Sequence, residues 1–408
     1  MASYVAGPVL HSLPLLILLA GCSGLGLLAS AIYVPSMPEM ARIFGTGIGE
    51  VQLTLSVFLA SFAVATLVHG PLSDRFGRRR VLIAGLVLCA VSSFACSFAP
   101  NIETLIALRA FQAFGSCAGM VVVRAVIRDL YGPEHMPRAM AFVALGVTLS
   151  PALAPILGGQ LHVRFGWWAS FDFVAAFTAL LTLLIFLRLP ETNRHPPPPG
   201  SLLAGMAGSF SSLLGARQFM VYALVIAFAA SGFYGFAAGA PVVLIDAYGV
   251  APDFYGLFAA FPPTGFICGT LLTSQVLRRA GSPDRLISIG TLVILVAGGT
   301  MALLSWSGIQ TPLAVAGPML LYGFGNGLIM PNAFAGSMRY YPRIAGAASA
   351  LAGFLQQAAG AAATTALTLL PQTSSKPLTF QVALSAIGAA LVWRLLRGGR
   401  LPPPRPVA

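Results

Sequence analysis

Long apolar runs separated by short polar segments dominate the chain. Residues 13–32, 51–68 and 81–98, for example, form three runs without a charged side chain. A helix that rises 1.5 Å per residue needs about 20 such residues to cross a hydrocarbon core of roughly 30 Å. The pattern therefore predicts an all-α polytopic membrane protein. Its twelve predicted transmembrane helices cover residues 10–34, 49–70, 80–99, 103–125, 138–161, 168–189, 217–245, 253–277, 285–306, 311–336, 344–369 and 377–397.

The overall composition supports this prediction. The chain of 408 residues is 57% hydrophobic and only 8% charged, which is too little charge to cover the surface of a soluble protein of this length. Its 44 glycines and 30 prolines are compatible with helices in lipid, which tolerate both and use small residues for close packing. The five cysteines all lie inside predicted spans, so we interpret them as small buried side chains without a disulfide or metal role.

The net charge of +12 reflects membrane orientation and not a nucleic-acid partner. With the N-terminus inside, nearly all of the 23 Lys and Arg residues fall on the inner face, as the positive-inside rule requires. The exceptions are Arg42, Arg164 and Lys376 on the outer face, and Arg109 within a span. We therefore expect a bacterial inner-membrane protein with both termini in the cytoplasm.

A polar interruption over 189–218 divides six predicted spans from six. It contains four prolines within 195–199, which make a stiff linker. Leucine, methionine and phenylalanine side chains at helical spacing over 202–214 then suggest a short helix on the inner membrane surface, and a disordered loop is an equal alternative. The connections at 74–80 and 278–285 are both short and basic and both contain glycine, and this similarity favours two similar halves. The predicted divisions are an N-terminal six-helix half (1–188), a cytoplasmic linker (189–216), a C-terminal six-helix half (217–397) and a cytoplasmic tail (398–408).

The segment 70–80, Gly-Pro-Leu-Ser-Asp-Arg-Phe-Gly-Arg-Arg-Arg, carries the most informative motif. A short loop must reverse the chain between the second and third spans, and glycine suits such a turn. An aspartate among arginines at a helix end can form charge-assisted hydrogen bonds that hold neighbouring helices together. The alternative is a positive-inside loop with an incidental acid, which leaves the spacing of Gly70, Asp74 and Gly77 without a reason.

This segment resembles the signature of the major facilitator superfamily between its second and third spans. Residues 108–115, LRAFQAFG, are similar to the fourth-span motif of that family, and residues 189–192, LPET, to the end of its sixth span. Residues 150–159, SPALAPILGG, resemble the fifth-span motif of its antiporters, with serine and alanine where two glycines are usual. The resemblance implies the major facilitator fold, with the substrate held between two six-helix halves. The antiporter-motif residues are Ser150, Pro151, Ala154, Pro155, Gly158 and Gly159. The expected conformational latch comprises Gly70, Asp74, Arg75, Gly77, Arg78 and Asp129.

Residues 124–130, 331–333 and 345–356 look like segments of the Bcr/CflA group of twelve-span drug:proton antiporters. Members of that group expel compounds such as bicyclomycin, chloramphenicol and sulfonamides. The resemblance implies a monomer in the lipid bilayer that exchanges a small-molecule substrate for protons. It implies no cofactor, because the proton gradient is the driving force.

The first span departs from the group's pattern. An aspartate usually precedes a Tyr-Leu-Pro sequence there, but Ala31 occupies the matching position before Ile32-Tyr33-Val34-Pro35. The coupling proton therefore needs another carrier, or transport is driven differently. Histidines and most acids fall near span ends or in loops, which leaves Asp172 in the sixth span and Asp246 at the outer end of the seventh. We favour Asp246, because its helix normally lines the cavity in this superfamily.

Arg109 is the first candidate for the substrate path. It lies six residues into the fourth span, about 9 Å from the outer surface, where a guanidinium is costly unless it is paired or hydrated. Gln112, one turn further on, can accept a hydrogen bond from it. The alternative is an arginine that extends to the outer headgroups near Glu103. Aromatic residues can complete a drug pocket. The predicted path comprises Arg109, Gln112, Tyr33, Phe58, Phe62, Tyr234 and Phe236.

Three functions compete at this stage. The first is proton-coupled efflux of drugs or drug-like molecules. The second is export of an endogenous metabolite, such as a sugar, an amino-acid derivative or a siderophore, on the same fold. The third is a membrane-embedded enzyme or receptor. It is disfavoured because an enzyme needs a set of reactive groups, and the spans contain no HExxH motif, GxSxG motif or Cys/His cluster. We therefore expect no catalytic residues and no metal.

Overall fold

The structure, a computed structural model, describes residues 13–131, 135–193, 201–278, 282–370 and 374–397. Throughout these residues the chain forms helices and short connections without a β-strand. Three short helical turns, Val34–Ser36, Val242–Ala247 and Pro342–Ile344, interrupt or join the longer helices. The α-helices are α1 (Leu13–Ala31), α2 (Met37–Ile43), α3 (Ile48–Phe76), α4 (Arg78–Ser97), α5 (Ile102–Leu130), α6 (Met136–Phe165), α7 (Ala169–Arg188), α8 (Ser201–Leu214), α9 (Arg217–Pro241), α10 (Pro252–Ala259), α11 (Phe261–Arg278), α12 (Pro283–Trp306), α13 (Pro312–Arg339), α14 (Ala345–Thr368) and α15 (Lys376–Arg397).

The long helices account for all twelve predicted spans. Within the described ranges, eleven helical segments are long and apolar enough to cross a membrane. The twelfth, α14, has 24 residues but contains Gln356 and Gln357 among many alanines, glycines and threonines, which lower its hydropathy. It packs against α3 and α9. A helix with protein on more than one side can carry such polar residues, because they do not have to face lipid.

The helices form two bundles. In the first half, α1 packs against α6, while α5 lies between α3 and α4, and α7 covers α4. In the second half, α13 lies against α11 and α12, and α9 packs against α14 and α15. The halves meet mainly where α3 contacts α14 and where α6 contacts α10. We name the two ends of the molecule after one acid at each, the Asp74 end and the Glu39 end.

Contacts between the halves concentrate toward the Glu39 end. The Gln52 side chain donates a hydrogen bond to the carbonyl oxygen of Ala238 across 3.1 Å. The Ser56 hydroxyl donates to the Thr364 hydroxyl across 2.7 Å. Both bonds connect α3 of the first half to the second half, so they help to hold this end of the molecule together.

The region between the halves is partly helical. Helix α8 agrees with the predicted helix, and it packs against α9 and α14. Residues 195–199 and 398–408 lie outside the described residues, so the predicted stiff linker and cytoplasmic tail stay predictions. Four of the cysteines are buried, as expected, but the expectation of burial is wrong for Cys268, which is exposed.

Candidate functional site

A small cavity of about 30 Å³ lies between the two halves. It is large enough to hold a water molecule. Helices α1, α3 and α6 form its wall on one side and α9 forms the other. One predicted path residue, Tyr234, and one antiporter-motif residue, Pro151, face this central cavity. The lining residues are Leu27, Ser30, Ala31, Leu55, Pro151, Phe233, Tyr234 and Ala237.

Arg109 lies inside the first half, directly behind α1. Its exposed fraction is 0%, so the side chain does not extend to the molecular surface near Glu103. The guanidinium donates hydrogen bonds to the carbonyl oxygen of Ala29 at 3.0 Å and to the side-chain oxygen of Gln112. Gln112 in turn donates to the Ser93 hydroxyl at 2.7 Å. The spacing of Arg109 and Gln112 predicted this contact.

Aromatic rings enclose the same guanidinium. Its central carbon lies 4.3 Å from the ring centres of both Tyr33 and Phe58, and 5.8 Å from that of Phe171. Such contacts stabilise a cation through the quadrupole of the ring. The Tyr33 hydroxyl is 2.7 Å from the Thr54 hydroxyl, so a hydrogen bond connects the Tyr33 ring to α3.

The predicted path residues thus form two groups. The first group is one buried cluster inside the first half, where the stacked rings of Phe58 and Phe62 lie with three other path residues. Those three are Arg109, Gln112 and Tyr33. Tyr234 instead lines the central cavity, and Phe236 is buried within the second half.

The latch motif forms a tighter turn than the sequence suggests. Helix α3 continues through Pro71 to Phe76, so Gly70 and Asp74 are helical and not in a loop. Gly77 alone separates α3 from α4, with a φ of 100° that favours glycine. One residue suffices because that backbone conformation reverses the chain between two helix ends.

Arg78 is the centre of the interactions among the predicted latch residues. Its buried side chain forms an ion pair with Asp74 and a second one with Asp129, whose carboxylate is 3.1 Å from Nε. It also donates to the Ser73 hydroxyl at 2.7 Å. Arg75 takes no part in this network and lies over the Phe76 ring. Gly70 has open space beside it.

Glu191 belongs to the same network, which the sequence did not indicate. Its carboxylate accepts hydrogen bonds from the backbone N–H groups of Arg78 at 2.8 Å and Arg79 at 3.2 Å, at the start of α4. A helix N-terminus has unpaired N–H groups and favours negative charge. The side chain of Asn193 donates to the carbonyl oxygen of Asp74 at 2.6 Å. The LPET segment therefore fastens the end of α7 to the turn between α3 and α4.

The antiporter-motif helix α6 has two small-residue faces. A Cβ atom at Gly158 would overlap the carbonyl oxygen of Ile32, the residue after α1, whereas one at Gly159 would overlap that of Pro252 in α10. Ser150 donates to the carbonyl oxygen of Gly146 at 2.7 Å and lies against α1. Ala154 is fully buried. Consecutive glycines thus allow α6 to pack against both halves.

Neither candidate for proton coupling faces the central cavity. Asp246 is exposed in the helical turn Val242–Ala247, where Arg42 of the other half interacts with it electrostatically. Asp172 lies in the first turn of α7, and its Oδ1 atom is buried without a hydrogen-bond partner. Both acids are therefore near the Glu39 end, in separate places.

A contact between a buried histidine and a partly exposed carboxylate at the Glu39 end was not predicted from the sequence. His162 Nε2 lies 2.9 Å from a carboxylate oxygen of Glu39, and the Nδ1 atom of His162 is buried without a hydrogen-bond partner. The pair joins α6 to α2. Its members are 123 positions apart in the chain, and no local pattern indicates that they meet.

Comparison with known proteins agrees with this architecture. A family model, the Major Facilitator Superfamily, matches residues 19–364. Multidrug resistance protein D of Escherichia coli (strain K12) is 29% identical over 383 residues, covering 93% of this chain and 94% of that protein. The bicyclomycin resistance protein homolog of Haemophilus influenzae is 26% identical over 371 residues, covering 91% and 92% respectively.

Solved structures show the same fold. The crystal structure of a bacterial homolog of the human lysosomal transporter Spinster matches with a TM-score of 0.77 at 16% identity. The match covers 99% of this chain and 100% of that one. The resemblance to the Bcr/CflA drug-efflux group is confirmed by the relatives over nearly the full length. The family model also covers most of the chain, which therefore belongs to the Major Facilitator Superfamily of transporters.

Proposed function

We propose that this protein exports drugs or other small organic molecules from a bacterial cell in exchange for protons. The observation that carries the proposal is the near full-length similarity to proteins named for multidrug and bicyclomycin resistance. A cavity between the two halves, lined from both sides, supports it, because substrates of this superfamily bind near the middle of the membrane between the halves.

In the proposed orientation, the Asp74 end faces the cytoplasm and the Glu39 end faces outward. The support is the accumulation of Lys and Arg in the connections at the Asp74 end. A fluorescent reporter that folds only in the cytoplasm, fused after Ala408, should therefore be bright. A dark cytoplasmic reporter together with an active periplasmic one would reverse the orientation.

The arrangement of the halves then corresponds to an inward-facing state, closed outward by the contacts of α3 with α14 and of α6 with α10. Transport requires these contacts to separate while the Asp74 end closes. The latch around Arg78 holds α3, α4, α5 and α7 together as one unit, which suits a half that moves as a rigid body. The exporter works as a monomer in the inner membrane.

Proton coupling is assigned to Asp246, with Asp172 as the second candidate. The carboxylate of Asp246 lies where the two halves meet, so separation of the halves at this end changes its surroundings. A carboxylate that alternates between water and protein can take up and release a proton. The unpartnered Oδ1 of Asp172 leaves room for a proton there as well.

The test uses inverted membrane vesicles from a strain that lacks its major pumps. Chloramphenicol, bicyclomycin and a sulfonamide should accumulate inside when the proton gradient is present, and an uncoupler should abolish the accumulation. Substrate addition should release protons, and Asp246→Asn should reduce that release. Glu103→Gln is the matched control, because Glu103 is an exposed acid at the same end.

The outcomes separate the two parts of the proposal. If no compound accumulates, drug efflux is wrong and export of an endogenous metabolite becomes the function to test. If accumulation persists without a gradient, proton antiport is wrong. If the variant with both Asp172→Asn and Asp246→Asn exchanges at the parental rate, neither acid carries the proton, and the Glu39–His162 pair is next.

A further inference from the structure

The guanidinium of Arg109 is a fixed positive charge without a carboxylate partner among the described residues. Its hydrogen bonds go to a backbone carbonyl and to an amide side chain, and its Nε and Nη2 atoms are buried without partners. These dipoles and the rings of Tyr33 and Phe58 stabilise the cation, but they do not cancel its charge. Arginine stays protonated at any physiological pH, so the charge is permanent.

This charge lies close behind the wall of the central cavity. The guanidinium bonds to the carbonyl oxygen of Ala29, and the next two residues of α1, Ser30 and Ala31, line the cavity. A helix with its side chains is about 10 Å across, so the charge and the cavity are separated by roughly that distance. Little water lies between them to screen the field, because Arg109 is fully buried.

No acid lines the central cavity to offset this field. Ten of the eleven Asp and Glu residues belong to the described part of the chain, and none of the ten is among the cavity-lining residues. The eleventh, Glu134, lies outside the described residues. The ten described acids are at or near helix ends, within one or two turns. They are Glu39, Glu50, Asp74, Glu103, Asp129, Asp172, Glu191, Asp246, Asp253 and Asp284.

We infer that Arg109 gives the central cavity a positive potential that selects neutral and anionic molecules and excludes organic cations. The inference rests on the proposed export through this cavity and names its substrate class. A cation in a poorly solvated site needs a nearby negative charge, and this site offers the opposite. An anion also loses hydration there, but the charge of Arg109 offsets part of that cost, and a neutral polar molecule has no net charge to desolvate. At about 10 Å and an effective dielectric constant of about 20, one unit charge changes the binding of a monovalent ion by about tenfold or more.

Tetraphenylborate and tetraphenylphosphonium are suitable probes, because they have nearly the same size and shape but opposite charge. Both ions are larger than the cavity of about 30 Å³, so each enters only when the halves separate and the cavity widens, as any exported drug must. Equilibrium binding of each ion to the purified protein in non-ionic detergent should show a preference for the anion. Ser30→Asp places a carboxylate on the cavity wall and should reduce that preference about tenfold. Ser30→Asn is the matched control of equal size, and it should keep the wild-type ratio. Comparing the two variants cancels partition of the ions into detergent.

A second pair of variants tests Arg109 directly. Arg109→Met removes the charge and should abolish the preference, while Arg109→Lys keeps the charge and should retain it. The inference is overturned if Ser30→Asp and Ser30→Asn have the same ratio of anion affinity to cation affinity. This comparison holds whether or not Arg109→Met folds. The protein could also prefer the anion, with a smaller preference in Ser30→Asp than in Ser30→Asn, and yet accumulate none of the drugs in vesicles. That result would refute the proposed drug efflux but not the charge selectivity.

Discussion

The two buried arginines of the first half differ in their partners, and this difference separates their roles. Arg78 is 5% exposed and lies between two carboxylates, so its charge is locally neutralised. Arg109 is fully buried among rings and dipoles, so its charge acts over a longer distance. Arg78 therefore suits a structural latch, whereas Arg109 suits a site that acts on a charged ligand.

Asp74→Asn should slow transport and leave substrate affinity nearly unchanged. Arg78 keeps Asp129 and Ser73 as partners in this variant, and Asp74 is partly exposed, so the fold should hold. Loss of about 1 kcal/mol of the interactions that keep this half rigid should raise the barrier to its movement by a similar amount, which lowers turnover by about fivefold. Measured in vesicles, the maximal rate should fall and KM should stay constant. Unchanged rates at normal expression would remove the latch role of Asp74, and Glu103→Gln serves as the control.

Glu191→Gln should destabilise the start of α4. The carboxylate accepts two backbone N–H groups there, and the neutral amide keeps one oxygen and loses the charge. Loss of a helix N-terminal acceptor costs about 1 kcal/mol, so the purified variant should melt at a lower temperature than the parent. Glu191→Ala should cost more. An unaltered melting temperature for both would show that the contact contributes nothing.

Only part of the network around Arg78 could be predicted from the sequence. The glycines, Asp74 and the arginines form one motif because they are close together in the chain, and the positive φ of Gly77 agrees with the predicted turn. The contact of Glu191 with Arg78 was not predictable, because the two residues are 113 positions apart and the pairing depends on how α7 returns to the same end. The Glu39–His162 pair was missed for the same reason.

At the scale of elements, hydropathy predicts which segments are helical but not where they bend or end. The predicted span 253–277 is two helices, α10 and α11, that meet at Ala260. Helix α3 extends to Phe76, beyond the predicted limit at 70. A helix can continue past the hydrocarbon core when polar groups form hydrogen bonds with its last turn. Helix α14 was predicted despite its glutamines, and the contacts with α3 and α9 explain why a span can hold them.

The two faces of α6 lead to different expectations for two adjacent glycines. Gly158→Ala forces a methyl group against the carbonyl oxygen of Ile32 within the first half, and should lower the free energy of unfolding by about 1–3 kcal/mol. Gly159→Ala affects the contact with Pro252 of the other half, so it should slow transport with a smaller loss of stability. Gly299→Ala is the control, because nothing lies within 4 Å of the added atom.

Thermal unfolding and vesicle transport together distinguish these variants. Gly299→Ala should be neutral or stabilising by up to about 1 kcal/mol, since alanine favours the helix. If Gly158→Ala and Gly159→Ala have the same effects on both measurements, the expected division is wrong, in which one face of α6 contributes to stability and the other to transport.

At the scale of the whole molecule, the two halves are joined near the Glu39 end, and separation there is a required step of alternating access. The bond between Ser56 and Thr364 lies at the contact of α3 with α14, and Gln52 binds the carbonyl oxygen of Ala238 nearby. An equally short pair, Ser305 and Ser375, lies entirely within the second half. The two pairs therefore offer a matched comparison between a contact that must break and one that need not.

Ser56→Cys with Thr364→Cys, in a Cys268→Ser background, should form a disulfide that stops transport. The two hydroxyl oxygens are 2.7 Å apart, and a disulfide needs about 2.05 Å between sulfurs, so a small adjustment suffices. The remaining native cysteines are buried and free, which limits wrong pairing. Oxidation should abolish vesicle transport and a reductant should restore it. Ser305→Cys with Ser375→Cys, whose hydroxyls are also 2.7 Å apart, should cross-link without loss of transport. Full activity of the cross-linked Ser56–Thr364 variant would mean that the halves do not separate at this end during the cycle.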